Sequence, residues 1–148
     1  MVAAINTCDT TFDNITLKSG SNSNSYYLAA MGHKLVIGEN VTTELHTSGS
    51  GYYFYICGGG SSATVAKTDV TVLSGSWAAL NLGNFASGTI KGDAKLKIDG
   101  AYFSGTIRCS YKNAAINGDV YMDLQNITGS GSIYGGSSNN GKNYGDMT

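Results

Sequence analysis

The chain has 148 residues, a mass of 15.4 kDa and a formal net charge of −1, with 13% charged residues and neither sign in excess. It lacks the basic stripe of a nucleic-acid-binding face, the apolar run of about 18 residues that a membrane helix needs, and the high net charge that accompanies disorder. What remains is one ordered domain over residues 1–148, with 21 glycines and no proline, as suits strands whose N–H groups are all donated to neighbours.

Met1-Val2-Ala3-Ala4-Ile5 is too short for a signal peptide and has no basic flank, so the chain reads as an excised piece or a processed form. Residues 1–11 could cap one end of the fold. Thr10 to Leu17 alternates apolar and polar residues, and a polar turn follows from Lys18 to Ser25. Tyr26-Tyr27-Leu28-Ala29-Ala30-Met31-Gly32 then matches Tyr52-Tyr53-Phe54-Tyr55-Ile56-Cys57-Gly58 at an offset of 26. This alignment places Tyr52 beside Tyr26 and Tyr53 beside Tyr27 on adjacent coils. Gly58-Gly59-Gly60-Ser61-Ser62 reads as an insertion at one corner that lengthens the second coil.

Further on, Asp69-Val70-Thr71-Val72, Asp93-Ala94-Lys95-Leu96 and Asp119-Val120-Tyr121-Met122 each give an aspartate followed by strict alternation, the pattern of a half-buried strand. Aligned on the aspartates, Val70, Ala94 and Val120 form one inward column and Val72, Leu96 and Met122 the next. Ile107 with Ile133, and Ile90 with Ile116, mark two further strands per copy. Residues 137–148 form a polar tail or a second cap. Self-similarity at roughly 26 residues in a glycine-rich, alternating chain predicts a solenoid. The expected fold is all-β: a single-stranded parallel β-helix of about five coils, three short strands in each.

Cys8, Cys57 and Cys109 are odd in number and widely spaced, which fits neither a disulfide framework nor a metal pair. Cys57 and Cys109 fall two periods apart, so the repeat predicts one interior column with the thiols buried, unbonded and about 10 Å apart.

Lys34-Leu35-Val36-Ile37-Gly38, Tyr55-Ile56-Cys57-Gly58-Gly59-Gly60 and Ser132-Ile133-Tyr134-Gly135-Gly136 resemble the repeats of very large surface proteins of anaerobic Gram-positive gut bacteria. Those repeats are similar to adhesin-like, right-handed parallel β-helices, and the resemblance covers about residues 9–136. It implies an extracellular or cell-surface setting and a structural or adhesive role without catalysis. It does not identify a ligand; the candidate partners, a polysaccharide or host surface glycan and further coils stacked end to end, come from the paired tyrosines and the exposed end faces.

Tyr26, Tyr27, Tyr52 and Tyr53 are the candidate ligand-binding residues, because an aromatic strip can pack against the C–H face of a pyranose. The same rings could equally be stacking rungs of the sheet. Asp93 and Asp119, equivalent in adjacent coils, have the spacing of a glycosidase pair or a calcium site. An aspartate at a strand start more simply caps a turn. Arg108 alternates outward between Ile107 and Cys109, and His33 and His46 read as exposed turn residues. Gly58-Gly59-Gly60 has no Lys-Ser/Thr after it, so it reads as a corner rather than a phosphate cradle. No catalytic residue, metal or cofactor is expected. The alternative reading is a carbohydrate-active module that binds or cleaves a polysaccharide along one face.

Overall fold

A computed structural model describes residues 2–20, 25–44, 54–138 and 140–148. The first coil comprises β1 (Val2–Ile5), β2 (Thr10–Phe12) and β3 (Ile15–Lys18), and the second β4 (Tyr26–Ala29), β5 (Lys34–Ile37) and β6 (Val41–Glu44). From the third coil onward there are four strands per turn. These are β7 (Phe54–Cys57), β8 (Thr64–Val65), β9 (Thr68–Val72) and β10 (Ser76–Trp77), then β11 (Ala79–Asn81), β12 (Ser87–Ile90), β13 (Ala94–Asp99) and β14 (Tyr102–Phe103). The fifth coil holds β15 (Ile107–Tyr111), β16 (Asn113–Ile116), β17 (Val120–Gln125) and β18 (Thr128–Gly129). β19 (Ile133–Ser138) and β20 (Lys142–Asn143) begin a further turn.

All pairings are parallel, and the described residues include no helix. The first face runs β1-β4-β7-β11-β15-β19, the second β2-β5-β9-β13-β17 and the third β8-β12-β16-β20. A fourth, narrow strip runs β3-β6 and then β10-β14-β18. The expected all-β parallel solenoid of about five turns is what the chain forms.

Inward alternation builds the core. Leu35, Val70, Leu96 and Met122 stack in register on the second face, as do Ile37, Val72, Ile98 and Leu124. Ile56, Leu80, Ile107 and Ile133 line up on the first face, and Ile90 with Ile116 on the third. Most of these side chains are fully buried, and each large aliphatic contributes about 1.5–3 kcal/mol in leaving water. Ile133, on the last rung of its column, is 52% exposed.

Three expectations about the strands and corners need correction. Val70 and Val72 are displaced by two residues from the predicted columns, because Lys95 and not Asp93 pairs with Asp69. A slip of two keeps every side chain on its own face, so the inward assignment survives the wrong register. Each later coil has four strands instead of three. The missed strands are two residues long, too short to show alternation, and they send Trp77 and Phe103 inward. The Gly58–Ser62 segment is no local detour; it is where the third face begins, and that face continues through every later coil.

Corners obey simple steric rules. After the strands of the second face, Asn14, Gly75, Gly100 and Asn126 take positive φ, which suits glycine and asparagine. At another corner Gly92, Gly118 and Gly145 lie directly over one another, and a Cβ on Gly118 would fall onto the backbone of Gly92. The recurring aspartates cap the next coil. Asp9 Oδ1 accepts the Lys34 N–H at 2.8 Å, Asp93 Oδ1 the Asp119 N–H at 3.1 Å, and Asp119 Oδ1 the Asp146 N–H at 2.9 Å. Residues 142–148 lie along the preceding coil: β20 pairs with β16, and the Thr148 N–H donates to the Val120 carbonyl.

Cys57 and Cys109 are both buried and unbonded, but they do not share a column. Cys57 pairs with Asn81, and Asn81 pairs with Arg108. The coils between them are of unequal length, which shifts the register by one residue. Each thiol donates to a glycine carbonyl of the next coil, Cys57 to Gly83 at 3.1 Å and Cys109 to Gly135 at 2.9 Å.

Candidate functional site

On the first face, Tyr26 pairs with Phe54 and Tyr27 with Tyr55. The predicted partners of Tyr26 and Tyr27 are therefore corrected by two residues; Tyr52, Tyr53 and His46 lie outside the described residues. Aligning the two Tyr-Tyr pairs preserved the alternation, so the sequence could not separate the two registers. The two tyrosines of β4 part company. Tyr26 packs on the core, 5.6 Å from the Phe54 ring, whereas Tyr27 points outward and stacks on Tyr55 at 4.7 Å and 17°.

A third ring completes the platform. Phe85 stacks on Tyr27 with centroids 4.3 Å apart and planes at 22°. It comes from the corner after β11, which Asn84 fixes in place. The Asn84 amide accepts the Gly60 N–H at 2.8 Å and donates to the Ala63 carbonyl at 2.7 Å, tying this corner to the one below. The Phe85 N–H itself donates to the Gly60 carbonyl. The ring is thus held before any ligand arrives.

Beside the rings opens a cleft of about 520 Å³, lined by Tyr27, Tyr55, Asn81, Phe85, Arg108 and Tyr111, with Lys112 at its edge. The Arg108 guanidinium lies 4.0 Å from the centre of the Tyr111 ring and the Lys112 ammonium 5.5 Å from it. Lys112 holds a left-handed backbone with φ 54 at the corner between β15 and β16. Asn81 is only 3% exposed, and its side-chain oxygen has no hydrogen-bond partner among the described residues. Burial, with smaller pushes from Tyr55, Cys57 and Tyr111, raises the Tyr27 hydroxyl above its ordinary value, while Arg108 pulls it down. At neutral pH it is a hydrogen-bond donor.

The arrangement offers flat apolar surface, a donor hydroxyl, a buried amide and two cations. No carboxylate or imidazole is among the residues that line it. Asp93 and Asp119 lie instead on the second face, where Asp93 caps the Asp119 backbone. His33 sits in the turn before β5 with its ring nitrogen 3.8 Å from Asp9. Of the other outward tyrosines, Tyr134 pairs with Arg108 on the first face, whereas Tyr121 is on the second, under Lys95.

Sequence reasoning reached Tyr27 and placed Arg108 outward by its alternation, without a role in a site. It missed Phe85, Tyr55, Asn81, Tyr111 and Lys112. Phe85 had one legible signal: an aromatic set among Gly83, Asn84 and Ser87 cannot belong to an alternating strand, and so needs another reason to be there. No family model, curated protein or solved structure matches the chain.

Proposed function

We propose that this solenoid is a non-catalytic segment of a bacterial cell-surface or secreted protein, and that it binds a saccharide in the cleft on its first face. The observation that carries the reading is the stack of Tyr55 and Phe85 on Tyr27, in the wall of a cleft that Asn81, Arg108 and Tyr111 also line. Rigid aromatic walls with a few fixed polar groups characterise small-ligand sites, and a pyranose presents both an apolar C–H face and hydroxyls. The stacked coils serve as a stalk that displays the cleft, and further coils of a longer chain could extend the open edge of β19.

Cleavage of a polysaccharide, the alternative role, would call for paired carboxylates near the rings. The cleft lining supplies none, which favours binding. The test is a glycan array probed with the purified chain and with Tyr27→Ala and Phe85→Ala. Specific binding weakened at least tenfold in both variants, at unchanged melting temperature, is the expected result, since truncating such an anchor costs about 1–2 kcal/mol or more. Full binding by both variants would remove the cleft from consideration.

A further inference from the structure

The carboxylates of this nearly neutral chain are sorted by face, whereas its cations are found on all of them. All ten carboxylates lie in, or close beside, strands of the second face and the narrow strip. Glu44 lies in β6, Asp69 in β9, Asp99 in β13 and Asp123 in β17, while Asp9, Asp13, Glu39, Asp93 and Asp119 flank strands of the same face. Asp146 joins them beside Val120. The strands of the first and third faces carry none, yet Arg108, Lys112 and Lys142 lie there. The cleft therefore sits in a positive patch on a molecule whose formal net charge is −1.

Arg108 and Lys112 flank one ring. The Arg108 guanidinium carbon lies 4.0 Å from the centre of the Tyr111 ring, and arginine is the side chain that receives a carboxylate or sulfate through two parallel hydrogen bonds. No carboxylate is among the residues that line the cleft.

Resting on the saccharide reading above, we infer that the ligand is an acidic saccharide. A uronate carboxylate or sulfate ester would face Arg108 and Lys112 while its pyranose lies on the aromatic platform. The test is titration calorimetry of the full chain with four probes of equal length: oligogalacturonate, its methyl ester, a sulfated oligosaccharide and a neutral glucan. We expect one of the two anionic probes to bind at least tenfold tighter than both uncharged ones, with affinity falling as salt rises. Whichever anion binds more tightly identifies the group recognised. Arg108→Gln should abolish the preference for charge while leaving the melting temperature in place, and Lys97→Gln on the second face should leave the preference intact. Equal affinity for oligogalacturonate, its ester and the sulfated probe would overturn the acidic-ligand inference and leave saccharide binding standing. Binding to none of the four would overturn the inference and count against the saccharide reading itself.

Discussion

The second face and the first face of this solenoid use the same inward chemistry and opposite outward chemistry. On the second face the ladder from β5 through β9 and β13 to β17 runs without a break, and its outward positions are occupied by Asp69, Lys95, Lys97 and Asp123. On the first face the register changes from coil to coil and slips between Arg108 and Ser110, and the outward positions carry Tyr27, Tyr55, Asn81 and Arg108. Bulges and slips re-aim side chains. The regular face holds the stack together, and the irregular one is free to shape a cleft because its neighbours hold the coils in place.

That division can be broken by substitution. The largest effect is expected from a charge in either inward column: Ile98→Asp on the second face and Ile107→Asp on the first should each cost more than about 4 kcal/mol and abolish cooperative thermal unfolding. A preserved melting midpoint in either would refute the inward assignment for that face. Next in size is an alkaline loss of stability. Burial raises the Cys57 thiol to about 12 and the Cys109 thiol to about 11, from an ordinary thiol value of 9.0. Between about pH 9 and those values the unfolded chain has released protons that the folded one retains. Stability should therefore fall with rising pH, by at most about 1.4 kcal/mol per unit for each thiol. Cys57→Ala should flatten that slope in denaturant titrations across this window; an unchanged slope would assign the loss to other groups.

Smaller effects sharpen the contrast. Asp93→Ala removes the acceptor for the Asp119 N–H and should cost about 1 kcal/mol by chemical denaturation, with glycan binding unaffected. Weakened binding in that variant would show that the two faces communicate. Smallest of all, Lys97→Gln on the exposed side of the second face should stay within about 0.5 kcal/mol of the parent. A larger change would mean that the outward charges of that face are structural after all.

Parity was the part of the fold that the sequence made legible. In Ala94 to Asp99 and Val120 to Gln125 alternation is strict, and the pairings Ile90 with Ile116 and Ile107 with Ile133 follow from equal spacing. Register across the uneven coils was not legible, because matching Tyr26 to Tyr52 or to Phe54 satisfies the same alternation. The two-residue strands at Ser76–Trp77 and Tyr102–Phe103 carry no periodicity to read. The cleft was legible only at Tyr27 and Arg108. Its other members come from a corner, Phe85, and from coils brought together by stacking, Tyr55, Asn81 and Tyr111, so their meeting depends on the register itself.

The thiol-to-glycine hydrogen bonds have a consequence for following the motions of this rod. Each buried sulfur is sealed by a backbone carbonyl of the following coil, so it becomes reactive only when those two coils separate. Cys109 guards the junction with the final rung, Cys57 guards one in the middle, and Cys8 in the first coil is already exposed. Timed alkylation would therefore act as a fraying gauge, with Cys8 labelled at once, Cys109 at the rate of end opening, and Cys57 only when the interior parts.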